Sequence, residues 1–170
     1  DMQNPIDIVE KSEYYEVSDD TKMQALFDLL EESRSSAEPI FAHVHLLVTH
    51  GEKFVPSIRH FSVNLKQTDT WMPEFYDDAI LSFDNQVRKL YAFLEQYGMD
   101  EDTIVVISSD HGKKFTILDS IPLMICFPHS DFVGRLDAPT QAIDIAPTIL
   151  EYIGTSVPNW MEGQSLLHAI

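Results

Sequence analysis

The chain has 170 residues, 44 % apolar and 11 % aromatic, enough to bury one core of single-domain size, so disorder is not expected. Its 28 acidic against 11 basic side chains leave a formal charge of −17. That balance argues against nucleic acid as a partner, because such affinity rests on Lys and Arg neutralising phosphates. No apolar run approaches the roughly 20 residues of a membrane-spanning helix, and the chain itself is expected to be soluble.

Residues 1–20 mix Pro5, acids and isolated apolar residues without a period and read as a connecting segment; residues 21–170 read as the folded part. The start at Asp1, without a basic or hydrophobic leader, is that expected of a piece cut from a longer protein. Thr21 and Gln24 have capping-box spacing, and Met23, Leu26, Phe27 and Leu30 recur at helical intervals, which predicts a helix ending at the break over 33–39. Residues 40–49 are apolar on both alternating faces, the pattern of a strand covered on both sides. A long polar loop follows over 52–70.

Pro73 opens the longest predicted helix, Gly98 closes it, and Tyr76, Ile80, Phe83, Val87, Leu90, Leu94 and Tyr97 form its expected core stripe. A β-branched strand at 103–108 leads into Ser109-Asp110-His111-Gly112, and a second buried strand is expected over 121–127, closed by Pro128. The one cysteine, Cys126, excludes an internal disulfide or an all-cysteine metal site and, between Ile125 and Phe127, reads as a buried small hydrophobe. Asp144 is placed to cap a last helix through Tyr152, with Pro147 in the first turn and Gly154 as its stop. Strands alternating with helices imply an α/β layer structure with helices on the sheet faces.

Functional groups in open α/β sheets gather beyond the carboxyl ends of strands, and Asp110-His111 stand there. An adjacent carboxylate and imidazole can ligate one divalent ion if the chain turns between them, which Gly112 eases; an Asx-turn acid beside an exposed histidine is the structural alternative. His43 and His45, two apart on a predicted strand, offer either a competing zinc site or a pair of neutral core histidines. His50 sits at the end of that strand, where it can donate a hydrogen bond to a substrate oxygen or simply meet solvent. Lys113 and Lys114 follow the Asp-His pair, as a cation beside a bound anion or as a solvated loop pair.

These residues also match a family in order and spacing. Tyr76-Asp77-Asp78-Ala79-Ile80 with Asp84 and Val87, Thr103-Ile104-Val105-Val106, Ser109-Asp110-His111-Gly112, the run from Gln141 to Leu150, and Gly163-Gln164-Ser165-Leu166-Leu167 resemble the C-terminal part of the sulfatase catalytic domain, in the alkaline phosphatase superfamily. The resemblance covers about residues 40–168. It implies a three-layer α/β/α sandwich with a mixed, mostly parallel sheet, alkaline-phosphatase-like, present as a partial domain.

The same resemblance implies a metal-dependent hydrolase of sulfate esters, with phosphoester hydrolysis or phosphoglycerol-type transfer as the alternative within the superfamily. A non-catalytic scaffold or interaction domain is the alternative of another class. Asp110 and His111 would be metal ligands for one divalent cation, Ca, Mn or Zn, and His50 would contact the sulfate or phosphate group, with Lys113 or Lys114 standing in for the usual lysine. The nucleophile, a formylglycine or a Ser/Thr, is expected in a missing N-terminal part, because Cys126-Phe127-Pro128-His129 does not fit the Cys-x-Pro/Ala-x-Arg motif. Expected partners are the anionic ester, that N-terminal half, and a second copy through exposed surfaces. The parent protein is expected to be extracytoplasmic or membrane-anchored.

Overall fold

A computed structural model describes residues 17–36, 38–115 and 119–169, so most of the predicted connecting segment lies outside the described residues. The chain forms two compact units, the first from Asp1–Met99 with Asp110–Ser120, the second from Asp100–Ser109 with Ile121–Ile170. Among the described residues no helix is long and apolar enough to cross a membrane.

In the first unit, α1 (Asp19–Ser33) begins earlier than the Thr21-Gln24 pattern suggests. Ser18 is the cap: its hydroxyl accepts the Thr21 N–H at 3.2 Å, and Asp19 and Asp20 occupy the first turn, where unpaired N–H groups favour negative charge. Asp19 also reaches out of the helix to accept the N–H groups of Leu47 and Val48, each at 2.8 Å. The predicted strand at 40–49 is not a strand among the described residues. A strand exists only through the backbone of its neighbours, and here a side-chain carboxylate takes two of the N–H groups instead.

The long helix α2 (Pro73–Tyr97) follows its predicted bounds, with proline in the first turn and Gly98 at φ 64°, a left-handed conformation that favours glycine. Its buried face only partly follows the predicted apolar stripe: of that stripe Leu94 is buried, Ile80 is exposed and the rest are half-buried, while Phe75, Asp78, Ala79, Ser82 and Gln86 are buried beside it. Polar members of that face make ties that are distant in sequence. Gln86 and Lys89 both donate to Asp20 at 2.8 Å, tying α2 to α1, and Phe27 stacks on Phe93 at 4.8 Å. Phe54, Phe75 and Ala79 form the core beneath the loop, with Val48, Trp71, Met72 and Tyr76 packed against it.

In the second unit, β1 (Val105–Ser108) and β2 (Leu123–Cys126) pair antiparallel, Val105 opposite Cys126 and Ser108 opposite Leu123. The described residues thus hold helices and one two-stranded sheet, not a mixed sheet inside three layers. In such a ribbon burial alternates along β2, leaving Met124 and Cys126 exposed, so Cys126 is not the core residue that its flanks suggest. After a short turn at Ala142–Asp144, α3 runs over Ile145–Tyr152. The Asp144 side chain does not cap α3; it accepts N–H groups from Gln141 (2.8 Å) and Gln164 (2.9 Å), fastening the C-terminal segment. Thr148 completes that tie, donating to the Asp144 carbonyl at 2.6 Å and accepting from Leu166 N–H at 3.0 Å.

Candidate functional site

The site is built in the first unit from two turns. One carries His50, whose N–H donates to the Leu47 carbonyl at 2.9 Å before Gly51 reverses the chain at φ 95°. The open space around Gly51 means that only this left-handed backbone demands glycine. The other turn carries Asp110, His111, Lys113 and Phe115.

The rings of His50 and His111 lie 5.9 Å apart between centroids, and Phe115 packs against both, at 5.2 and 5.1 Å. His111 Nε2 lies 3.6 Å from Asp110 Oδ1, while its Nδ1 lies 2.9 Å from the Gly112 carbonyl oxygen. A carbonyl only accepts, so in this contact Nδ1 is the donor, and Nε2 is the nitrogen that faces the carboxylate. Two electron-rich atoms so close favour a proton or a cation near both. At metal–ligand lengths of about 2.0–2.5 Å, a 3.6 Å separation suits two donors to one ion.

The pair fits a divalent cation as part of a donor set. Structural shells take four or more ligands, and among the described residues no group of three or more His, Cys, Asp or Glu side chains gathers. Asp110 is 64 % exposed and His111 27 %, so the carboxylate faces solvent and the imidazole is half-buried.

Lys113 lies with Nζ 4.1 Å above the centre of the Tyr76 ring, a cation–π contact that anchors its stem to α2. Lys114, its alternative, is exposed. His43 and His45 are exposed as well and are not core histidines. Protein packed around part of the His45 ring lowers its pKa, and the Asp110 carboxylate opposes that shift. The His45 carbonyl accepts a hydrogen bond from Lys22 Nζ at 3.0 Å.

Two groups around the site have roles that the sequence did not assign. The first is Asp78, completely buried, which accepts N–H groups from His60 (2.7 Å), Phe61 (2.8 Å) and Ser62 (3.0 Å) and the Ser62 hydroxyl. Ser82 accepts the Ile58 N–H at 3.1 Å, so one face of α2 holds the loop over 52–70 by its backbone. The loop ends are joined by Trp71 N–H to the Glu52 carbonyl at 2.8 Å, next to His50 and Gly51. An acid in register with buried helix positions was the available signal for Asp78. The second is the aromatic pair Phe115 and Trp71, 5.7 Å apart and nearly perpendicular, for which only adjacency to Asp110-His111 gave a hint.

The described residues thus hold an Asp-His pair with a second histidine ring 5.9 Å from its imidazole. The family model for sulfatases matches residues 1–155, and the chain belongs to the sulfatase family. It is similar to the multifunctional alkaline phosphatase superfamily protein PehA of Trinickia caryophylli, at 29 % identity over 54 % of this chain and 21 % of that protein. An N-acetylglucosamine-6-O-sulfatase of Bacteroides thetaiotaomicron is 31 % identical over 54 % of this chain and 19 % of its own length. An ulvan-active sulfatase of Formosa agariphila is 34 % identical over 61 % of this chain and 18 % of its own. The matches thus span 18–21 % of the length of these relatives.

Proposed function

We propose that the parent protein hydrolyses sulfate monoesters with the help of one divalent cation, and that residues 21–170 are the C-terminal part of its catalytic domain. In that reading residues 1–20 connect this part to the rest, and the complete domain is the three-layer sandwich with a mixed, mostly parallel sheet. The observation that carries the reading is the 3.6 Å approach of Asp110 and His111 with the His50 ring 5.9 Å away. Family membership supports the reaction class.

Asp110 Oδ1 and His111 Nε2 are two donors to a cation of the Ca, Mn or Zn type; the nitrogen donor favours Mn or Zn. Bound there, the cation supplies Lewis-acid stabilisation of negative charge on an ester oxygen. His50 donates a hydrogen bond to a non-bridging sulfate oxygen, and Lys113 places positive charge next to the same anion, held in reach by Tyr76. The nucleophile, a formylglycine or a Ser/Thr, and the remaining cation ligands come from the N-terminal part, since Cys126-Phe127-Pro128-His129 lacks the modification motif. Alone, this segment binds ligands without turning them over.

A phosphate monoester is the second reading, because the same tetrahedral anion meets the same groups and a histidine at 111 suits the metals of phosphoesterases. Calorimetric titration with Mn²⁺ and Ca²⁺ tests the cation assignment. Weak binding by the wild type that Asp110→Ala abolishes supports it; identical traces for both proteins reject it and favour a non-catalytic interaction domain.

A further inference from the structure

Strained backbone concentrates around the candidate site. Of the non-glycine residues with positive φ, Trp71 (59°), Lys114 (61°) and Phe115 (60°) stand in its walls, and Gly51 (95°) follows His50 directly. A bulky side chain in the left-handed region is costly and persists only where its surroundings over-determine it, often at ligand sites. Here the surroundings are visible. Trp71 is held by its N–H to the Glu52 carbonyl and by Phe54, 5.9 Å away. Phe115 is held by ring contacts with His50, His111 and Trp71.

Despite those three ring contacts Phe115 remains 48 % exposed. Its backbone conformation therefore brings a flat apolar surface alongside the two imidazoles and leaves part of it facing solvent. Trp71 extends the surface at an interplanar angle of 80°.

We propose that Phe115, backed by Trp71, is the specificity wall for the alcohol half of the ester, and that this half presents a flat apolar face. An aryl ring and the C–H face of a pyranose share that chemistry. The proposal rests on the anion-binding reading of His50: with the sulfate oxygens at the His50 ring, the group attached through the bridging oxygen lies against Phe115. The small, freely rotating alcohol of an alkyl sulfate gains nothing there.

The test is calorimetric titration of the 170-residue chain with methyl sulfate, phenyl sulfate and glucose 6-sulfate, in wild type and in Phe115→Ala, Phe115→Leu, Phe115→Tyr and His50→Ala variants. Phenyl sulfate or glucose 6-sulfate is expected to bind about 3- to 10-fold more tightly than methyl sulfate, the gain of one aromatic contact. Whichever of the two gains identifies the alcohol as aryl or pyranose. Phe115→Ala and Phe115→Leu reduce that ratio toward one, the latter keeping apolar volume without a flat face, and Phe115→Tyr restores it. His50→Ala weakens all three ligands alike. A ratio near one in the wild type, or a ratio unchanged in Phe115→Leu, overturns the specificity wall while leaving His50 as an anion contact. No binding of any ester, or binding indifferent to His50→Ala, overturns the anion-binding reading together with it.

Discussion

Asp78 on α2 accepts the backbone N–H of Ser62 at 3.0 Å, and with it the loop over 52–70 is locked to the helix beneath. The same carboxylate takes the N–H groups of His60 and Phe61, so three donors from one turn converge on one buried acid. Arg59 closes the turn from the other side, donating through Nε to the Ser62 hydroxyl at 3.0 Å and through its guanidinium to the Ser62 and Leu65 carbonyls.

Asp78→Ala leaves those three N–H groups without their acceptor. At about 1 kcal/mol or more for each stranded donor, a loss of about 3 kcal/mol in unfolding free energy is expected. Urea denaturation followed by tryptophan fluorescence measures it, and Trp71 at the end of the loop supplies a local signal. A loss within 0.5 kcal/mol, roughly the scale of surface substitutions, would mean that the loop holds without the acid.

Acid exposes the same contact. Burial, the largest single influence on Asp78, favours its neutral form, but the Ser62 hydroxyl and the N–H groups of His60, Phe61 and Ser62 together outweigh it and hold the carboxyl below the ordinary range. An unfolded aspartate titrates near about 3.9. A depressed folded pKa gives stability that is complete above that value and is lost as pH falls below it. The stability gap between wild type and Asp78→Asn is therefore expected to be constant from pH 5 to 7, roughly a unit and more above that value, and to narrow on further acidification. A gap that stays constant below pH 4, about where the free acid titrates, would contradict the ionised state of the buried acid.

Gly163 is demanded by close approach rather than by its dihedral angles. A Cβ there would lie 2.0 Å from the Ile143 carbonyl oxygen and 2.5 Å from its carbon. Gly163→Ala must push the C-terminal segment away, lengthening the Gln164 N–H to Asp144 contact. A destabilisation of about 1–3 kcal/mol is expected, the range of overpacked sites. Amide exchange at Gln164 and Leu166 checks it: faster exchange at both is the expected result, and unchanged rates would show that the segment yields without releasing its ties.

The parts of the fold readable from the chain are those governed by local chemistry. Pro73 and Gly98 bound α2 because a missing N–H suits a first turn and a left-handed residue suits a stop. The buried face of α2 was only partly readable from apolar periodicity, because Asp78 and Ser82 are buried to accept backbone N–H groups far away in sequence and Gln86 to donate to Asp20. The segment at 40–49 carries a strand's composition, yet pairing depends on neighbours that no local pattern supplies. Asp110, His111, His50 and Lys113 stood out because their residue types are chemically specific. Phe115 did not, since nothing in a phenylalanine announces a left-handed backbone.

The proposed binding of one cation by Asp110 and His111 beside His50 is tested most directly by proton NMR of the histidine rings during addition of substoichiometric Mn²⁺. Paramagnetic broadening falls steeply with distance, so the ring signals of His50 and His111 are expected to broaden first and together, ahead of histidines outside the site, and Asp110→Ala is expected to abolish the selectivity. Uniform broadening of all the histidine signals, or the same selective pattern in Asp110→Ala, would contradict a cation held at this site.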